Sequence, residues 1–285
     1  MHPLEPPSDR DSDRDLEPEP GSNDPGRLAR ADLRIGTRAR RLRRFWRTIP
    51  SAPRCKMCNS PFGPPGGPLM RLIGKGRWQG NSQYCAGCFK YLYRNRDGAE
   101  IDCTLLFADI RGSTQLAESM TASQFRRLLD RFYNTAARVL IEHEAIVDKF
   151  VGDEVIGIFV PALAGGDHAR RGVDTALALL RATGSDTDAP WVPIGIGVNT
   201  GIAFVGVVGG ADHVEFTALG DNVNVTARLA SAARRGEVLV TDRTVQGAGL
   251  ALDGVERRRL DLRGRSEATE VAVLRLAAAE LATTS

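Results

Sequence analysis

Two aspartates stand directly beside strongly apolar segments of the chain. Asp109 follows the apolar run 101–107, and Asp153 lies between the apolar runs 145–150 and 155–160. A lone buried carboxylate is costly, so a carboxylate in such a place usually holds a cation. Two carboxylates can bridge two Mg²⁺ ions about 3.5 to 4 Å apart, the arrangement used for in-line attack at phosphorus. The pair predicts a two-metal site, although each residue alone is also typical of a turn or a helix cap.

Small residues follow the first aspartate, in the segment Ile110-Arg-Gly-Ser-Thr114. The backbone N–H groups of Gly112, Ser113 and Thr114 can bind phosphates without any side-chain charge when they open a helix. Ser and Thr also cap helices for structural reasons. By itself this segment is weak evidence for a phosphate site, and its position after Asp109 strengthens it.

A third polar cluster lies at residues 217–228, with the sequence TALGDNVNVTAR. Asn224 and Arg228 are four residues apart, so they share one face of a helix. An amide can orient a ribose, and a guanidinium can stabilise charge that develops on a phosphate in the transition state. Taken alone, these two residues are more typical of an exposed helix with a surface arginine.

Four of the five cysteines form two Cys-x-x-Cys pairs, Cys55 with Cys58 and Cys85 with Cys88. Four thiolates around one ion make a closed structural zinc site. An iron–sulfur cluster or a redox dithiol uses the same residue types and stays as an alternative. A metal would replace the core that a segment of this length cannot build. Its predicted apolar lining consists of Phe62, Leu69, Leu72, Ile73, Trp78 and Tyr84.

The elements that position these residues alternate between strands and helices from about residue 100 onward. The apolar patterns predict helices around 125–140, 169–180 and 222–233, and strands at 101–107, 145–150, 155–160, 192–199, 202–208, near 238 and 260, and at 271–276. The turn at Gly152-Asp153 predicts a β-hairpin. Both element types on one chain with a hairpin indicate an α+β fold with a mixed or antiparallel sheet.

The N-terminal region has a different composition. Residues 1–26 are acidic and rich in proline, which predicts disorder, and residues 27–47 are rich in arginine with the spacing of an amphipathic helix. We interpret that helix as solvated or packed on a partner, with an acidic partner or an anionic membrane surface as the alternative. The predicted boundaries are a tail over 1–50 that is first disordered and acidic and then rich in arginine, the cysteine segment over 51–96 and a catalytic domain over 99–280.

Composition and charge narrow the class of protein. No window approaches the roughly 20 apolar residues of a membrane span, and the N-terminus lacks the pattern of a signal peptide, so we predict a cytoplasmic protein. The net charge of +3 does not predict nucleic-acid binding. A nucleic-acid-binding protein built on the cysteines and arginines is a rival interpretation, but only Phe45 and Trp46 offer stacking aromatics among the basic residues.

Three strings in a fixed order resemble the class III nucleotidyl cyclases over residues 100–277. They are LLFADIRGST, DKFVGDEVIGIF and FTALGDNVNVTARLA. The resemblance implies a ferredoxin-like α+β catalytic domain that uses two Mg²⁺ or Mn²⁺ ions per site. It also implies the following roles: metal ligation by Asp109, Asp153 and the Ile110 carbonyl, adenine reading by Lys149 and Thr217, ribose orientation by Asn224, and transition-state stabilisation by Arg228.

The family's active sites lie between two head-to-tail subunits, and the resemblance therefore implies a homodimer with two sites. In each site, Asp109 and Asp153 of one chain would meet Lys149, Thr217, Asn224 and Arg228 of the other. Some cyclases bind the terminal phosphates through an arginine after a Gly-x-x-Gly turn, and residues 207–211 offer none. Arg265, or alternatively Arg263, matches a basic loop that contacts phosphate, although an arginine there is as typical of plain surface charge.

The hydrogen-bond donors of the Lys149 side chain favour ATP over GTP as the substrate. An ammonium donates to the N1 acceptor of adenine, whereas guanine presents an N1–H donor there. Guanylate cyclases of the family typically have Glu at this position. Many members have Asp where this chain has Thr217, and the threonine resembles a subclass that makes cyclic AMP. The resemblance implies an adenylate cyclase in signal transduction; the alternative is a catalytically inactive, cyclase-like regulatory module that binds nucleotide.

Overall fold

A computed structural model describes residues 40–49, 51–78, 83–94, 98–185, 187–209, 214–251, 253–261 and 268–276. The acidic tail predicted for residues 1–26 lies outside these ranges, as do Arg263 and Arg265, the two arginines predicted to contact phosphate. Within the described residues, no helix is both long and apolar enough to cross a membrane.

The end of the arginine-rich stretch is folded. Residues 40–47 form a helix, α1, and Arg43 within it is only 1% exposed. The Arg43 guanidinium donates to the Met57 carbonyl at 2.8 Å and to the Ala145 carbonyl at 2.7 Å. Arg44 and Arg47 form ion pairs with the buried carboxylate of Glu144. Residues 40–47 are thus helical, as the arginine-rich pattern predicts, and their arginines bind a carboxylate and carbonyls of the same chain.

The cysteine segment carries two short helices, α2 (Gly66–Leu72) and α3 (Ala86–Arg94). Of the predicted apolar lining, Phe62 and Tyr84 are buried. Leu69, Leu72 and Ile73 are 53%, 84% and 51% exposed, so the prediction was wrong for them. Met70 is the apolar side chain of α2 that is buried instead. Leu69 and Leu72, on the same short helix, face solvent.

The rest of the chain forms one mixed sheet with helices against it. Its strands are β1 (Ala99–Ile110), β2 (Ile146–Val151), β3 (Glu154–Phe159), β4 (Ile194–Gly209), β5 (Val214–Leu219), β6 (Val238–Thr241), β7 (Arg257–Leu260) and β8 (Thr269–Leu274). Its helices are α4 (Ser113–Ser119), α5 (Ala122–Glu142), α6 (Pro161–Ala164), α7 (His168–Thr183), α8 (Asp221–Ala232) and α9 (Asp242–Ala248).

The strand order is β2-β3-β1-β4-β6-β8-β7, and β5 pairs with the C-terminal part of β4. Neighbouring strands are antiparallel except β4 and β6, which are parallel. The predicted α+β fold with a mixed sheet is confirmed. Two strands predicted at 192–199 and 202–208 are instead the single strand β4, because Thr200 and Gly201 keep their pairing with Thr104 and Cys103 of β1.

The sheet is covered on both faces, which explains why β1 reads as a continuous apolar run. Leu106 and Ala108 face the core that contains Phe132 and Leu140 of α5. The alternate residues of β1 belong to a second core, with Ala230 of α8. Because β1 is held in the middle of the sheet, the residue at its C-terminal end, Asp109, has a rigid support.

Candidate active site

One predicted metal aspartate, Asp109, lies near the end of β1, and the other, Asp153, lies in the turn between β2 and β3. β1 and β3 pair with Asp109 opposite Glu154, and the Ile110 N–H donates to the Asp153 carbonyl at 3.2 Å. The hairpin turn therefore brings Asp153 to the end of β1. Both aspartate side chains are half-buried, so they are accessible to an ion.

Helix α5 supports this turn from one side. The Tyr133 hydroxyl donates to the Gly152 carbonyl, and the Tyr133 ring stacks on Phe150 with the ring centroids 4.5 Å apart. Gly152 has a φ of 61°, a conformation that glycine adopts without strain. The position of Asp153 is thus supported by the Tyr133 hydroxyl and by the conformation of Gly152.

Charge near the aspartates is balanced by Arg111. Its guanidinium forms an ion pair with Asp109 and donates to the Ser231 carbonyl at 3.0 Å. Burial, followed by the negative charge of Asp153, raises the pKa of Glu154 to about 7 against the opposing effect of Arg111. A divalent cation at Asp109 and Asp153 would compete with Arg111 and stabilise the charged form of Glu154.

The donor set at this hairpin fits a hard divalent cation. Carboxylate and carbonyl oxygens are the ligands that Mg²⁺ and Mn²⁺ prefer. Asp109 and the backbone of Ile110 supply them from the end of β1, and Asp153 supplies one from the adjacent hairpin turn. The following turn begins at Gly112, whose φ of 68° starts α4, with Ser113 half-buried and Thr114 exposed.

The predicted base-reading residues meet at a carboxylate that sequence reasoning missed, Asp148. The Thr217 hydroxyl on β5 donates to Asp148 Oδ2 at 2.9 Å, and Lys149 Nζ lies 3.9 Å from the same oxygen. Lys149 Nζ also lies 3.3 Å from Glu215 Oε2. Thr217 is buried, whereas the Lys149 side chain is 31% exposed.

Burial raises the pKa of Asp148, and the Lys56 ammonium and the Thr217 hydroxyl oppose that rise. Asp148 and Lys149 reach β5 together because β2 has an irregular register between Val147 and Phe150. A bulge lets two successive side chains approach the same region, which strict alternation forbids. The sequence offers one signal for this contact, which is the acidic residue Asp148 directly before the predicted base-reading residue Lys149.

The third cluster lies on α8. Asn224 is exposed and Arg228 half-buried, while Val225 and Leu229 on the other face are buried in the core. The helix therefore presents the amide and the guanidinium on one outward face, as their spacing predicts. Arg111 joins this helix to Asp109, because its guanidinium pairs with that carboxylate and also donates to the Ser231 carbonyl.

Within one chain, the predicted residues form separate groups. The contacts of Asp153 run to β1, whereas those of Lys149 run to β5. The third group, Asn224 and Arg228, shares the outward face of α8.

The four paired cysteines form a compact cluster away from the aspartates. All five cysteines are free thiols, and the sulfurs of Cys55, Cys58, Cys85 and Cys88 lie within 4.8 Å of one another. Tetrahedral zinc with Zn–S bonds of about 2.3 Å separates its sulfurs by about 3.8 Å. The Cys58 and Cys85 sulfurs are 3.7 Å apart, so the cluster fits such an ion. Hydrogen bonds from the other three thiols, chiefly Cys55, lower the pKa of Cys58 and favour its thiolate.

Comparison with known proteins connects this fold to one family. The sequence pattern of the adenylate and guanylate cyclase catalytic domain matches residues 98–274. An uncharacterized protein of Mycobacterium tuberculosis is 33% identical over 155 residues, which are 53% of this chain and 27% of that protein. A terminal-differentiation-specific adenylate cyclase of Dictyostelium discoideum is 29% identical over 177 residues, which are 59% of this chain and 8% of that protein. The chain thus spans only a small part of these relatives.

Solved structures show the same architecture. The adenylyl cyclase CyaB from P. aeruginosa matches with a TM-score of 0.55 and 27% identity, over 62% of this chain and 95% of that one. The guanylyl cyclase Cya2 matches with a TM-score of 0.55 and 24% identity, over 62% and 92%. Since adenylyl and guanylyl cyclases share this fold, the fold leaves the nucleotide open. The match to the catalytic domain covers more than half of the chain, and the chain therefore belongs to the adenylate and guanylate cyclase family.

Proposed function

We propose that this chain is an adenylate cyclase that converts ATP into 3′,5′-cyclic AMP and pyrophosphate as a homodimer. The observation that carries the choice of ATP is the pair Lys149 and Thr217, which share the carboxylate of Asp148. An ammonium donor and a hydroxyl acceptor are complementary to N1 and the 6-amino group of adenine, and they oppose guanine at both positions.

The proposed chemistry assigns one task to each group. Magnesium or manganese held by Asp109, Asp153 and the Ile110 carbonyl would lower the pKa of the ribose 3′-OH and neutralise pyrophosphate. Asn224 holds the ribose so that its 3′-OH is in line with the α-phosphorus. Arg228 stabilises the negative charge that develops on the α-phosphate in the transition state. Backbone N–H groups at Gly112, Ser113 and Thr114, together with Arg265, hold the phosphates.

The separation of the two groups within one chain supports the proposed homodimer. The contacts of Asp153 run to β1 and those of Lys149 run to β5, so one chain supplies a metal-binding half and a base-reading half. In a head-to-tail pair with twofold symmetry, each half meets the complementary half of the partner, and two equal sites form.

Changing Lys149 to Glu tests the proposed nucleotide. The substitution replaces a donor by an acceptor, which opposes adenine N1 and is complementary to the N1–H of guanine. We expect the ratio of kcat/KM for ATP to kcat/KM for GTP to fall about 100-fold. This fall combines one hydrogen bond lost with adenine and one gained with guanine. Steady-state assays with both nucleotides measure it, and Lys75→Glu in the cysteine segment is the control. An unchanged ratio would remove Lys149 from base recognition.

The cysteine cluster is proposed to bind one structural zinc ion, which would stabilise a segment that has little apolar core. We expect about one zinc per chain in the purified protein and its loss in Cys58→Ser. Cys103→Ala is the control, because Cys103 is buried on β1 outside the cluster. Elemental analysis measures zinc and iron together. Iron with sulfide in place of zinc would identify a cluster instead, and a metal-free protein would contradict a metal site.

A catalytically inactive nucleotide-binding module is the second candidate. The ion pair between Arg111 and Asp109 favours it, because the guanidinium contacts an oxygen that a cation would need. Incubation with ATP and either Mg²⁺ or Mn²⁺ separates the two candidates: cyclic AMP supports the enzyme, and bound ATP without product supports the module.

A further inference from the structure

We propose that the cysteine segment sets the base selectivity of the active site, with Lys56 and Asp148 as positioning residues behind Thr217 and Lys149. The inference rests on the proposed adenylate cyclase function. It assigns a role to Lys56, which lies between the two cysteines of the first Cys-x-x-Cys pair and is not a predicted metal ligand.

The base-reading residues stand on strands that are not neighbours. Lys149 is on β2 and Thr217 on β5, and three strands separate them in the sheet. Hydrogen bonds between adjacent strands therefore do not set the distance between these two side chains directly. Their relative position depends on whatever contacts β2 and β5 at the same time.

The cysteine segment makes such contacts on both strands. Lys56 Nζ lies 3.5 Å from Asp148 Oδ1 on β2, and the Phe216 N–H on β5 donates to the Tyr84 hydroxyl at 3.3 Å. The two contacting parts of the segment are joined, because the Lys56 N–H donates to the Gln83 carbonyl at 2.9 Å. The segment thus bridges the two base-reading strands next to Lys149 and Thr217.

The bridge on the β2 side is a buried ion pair. The Lys56 and Asp148 side chains are 7% and 4% exposed. Removing both charges from water costs about as much free energy as their attraction returns, so such a pair is weak evidence for a stabilising role. Lys56, Asp148, Lys149 and Glu215 line one cavity of about 770 Å³, which places the pair beside the base-reading ammonium.

Asp148 determines how the Thr217 hydroxyl can interact with a base. The hydroxyl has one proton, and its acceptors are Asp148 Oδ2 at 2.9 Å and the Ala218 carbonyl at 3.5 Å. An ionised carboxylate only accepts hydrogen bonds, and the bond to it is the shorter and stronger one. The proton is therefore directed to Asp148, and the lone pairs of Thr217 remain for a donor such as the 6-amino group of adenine. The O6 of guanine is an acceptor and finds no proton there.

Lys56 is the closer cation to Asp148, at 3.5 Å against 3.9 Å for Lys149, so it carries more of the task of keeping that carboxylate charged. Lys149 Nζ lies 3.9 Å from Asp148 Oδ2 and 3.3 Å from Glu215. With Lys56 absent, the buried carboxylate would attract Lys149 more strongly, since it would be the nearest remaining cation. The ammonium would then move away from the base, and adenine would lose both of its selective partners.

Lys56→Met removes the ammonium and keeps a side chain of similar length. For the full chain, we expect KM for ATP to rise about tenfold, kcat to stay within about twofold, and the preference for ATP over GTP to fall about tenfold. Lys90→Met is the matched control, because Lys90 is exposed on α3 of the same segment. Unchanged KM and preference in a Lys56→Met protein with wild-type zinc content would overturn the inference.

A second variant covers the case in which Lys56→Met does not fold. The double variant Lys56→Met with Asp148→Asn leaves no unpaired buried charge, which is the main hazard of the single change. It is expected to fold and to show the same tenfold loss of preference, since the carboxamide no longer makes Thr217 an obligate acceptor. A double variant that keeps the wild-type preference would contradict the role of Asp148.

Nucleotide binding, measured by fluorescence titration with ATP and GTP, separates this inference from the proposed function. A wild-type chain that prefers ATP in binding but forms no cyclic AMP would refute the adenylate cyclase activity, and the variants would then be judged by their binding preference. A wild-type chain that cyclises ATP, with Lys56→Met behaving identically, would refute only the inference. A wild-type chain without any preference for ATP would refute both.

Discussion

Asp109→Ala is expected to abolish cyclic nucleotide formation at every magnesium concentration. Asp109 ends a central strand that is fixed on both sides, and Asp153 is its nearest predicted co-ligand across the β1–β3 pairing. Removing one of the two carboxylates that would hold the metal would remove metal stabilisation of the reacting oxygens, worth several kcal/mol. This corresponds to a fall of at least about 10³-fold in kcat/KM.

The measurement is a magnesium titration of cyclase activity for both proteins. Asp130→Ala is the matched control, because Asp130 lies on α5 with its side chain 54% exposed and paired with Arg126. The control should keep wild-type activity. If high magnesium restored the activity of the Asp109 variant, Asp109 would not be an inner-sphere ligand.

Arg228→Ala should lower kcat by about 10² to 10³-fold and change KM for ATP little. The reason is that its guanidinium is proposed to meet charge that exists only in the transition state. The residue lies on the outward face of α8, whose opposite face is buried, so the substitution leaves the core intact. Melting temperature should therefore stay close to that of the wild type.

Arg234→Ala is the control for this prediction, because Arg234 is exposed just beyond α8. Rates at saturating ATP separate the two possible roles. A variant with normal kcat and a raised KM would show that Arg228 binds the ground state of the substrate instead.

The chain order of apolar runs was enough to predict the elements that hold the aspartates. The run before Asp109 and the two runs around Asp153 predicted β1 and the β2–β3 hairpin, because buried strands and tight turns have strong local signals. β4 was predicted as two strands. β4 is continuous because it pairs with β1 over twelve residues. Pairing with a distant strand leaves no signal in the local sequence at residues 200 and 201.

The environment of the base-reading pair was beyond sequence reasoning. The contact of Thr217 with Asp148 joins residues 69 positions apart and depends on the irregular register of β2. In the same way, the spacing of the cysteines predicted their cluster but not where the segment docks. That docking follows from Lys56, Tyr84 and Arg43, whose partners lie far away in the chain.

Mixing Asp109→Ala with Arg228→Ala chains tests the shared active site most directly. Each variant alone is expected to be nearly inactive. In a mixed dimer, the intact aspartates of the Arg228 variant meet the intact arginine of the Asp109 variant at one of the two sites. Random pairing makes half of the dimers mixed, so cyclic AMP formation should return to about a quarter of the wild-type rate. Activity that stays at the level of the separate variants, while the subunits demonstrably exchange, would contradict a site built from two chains.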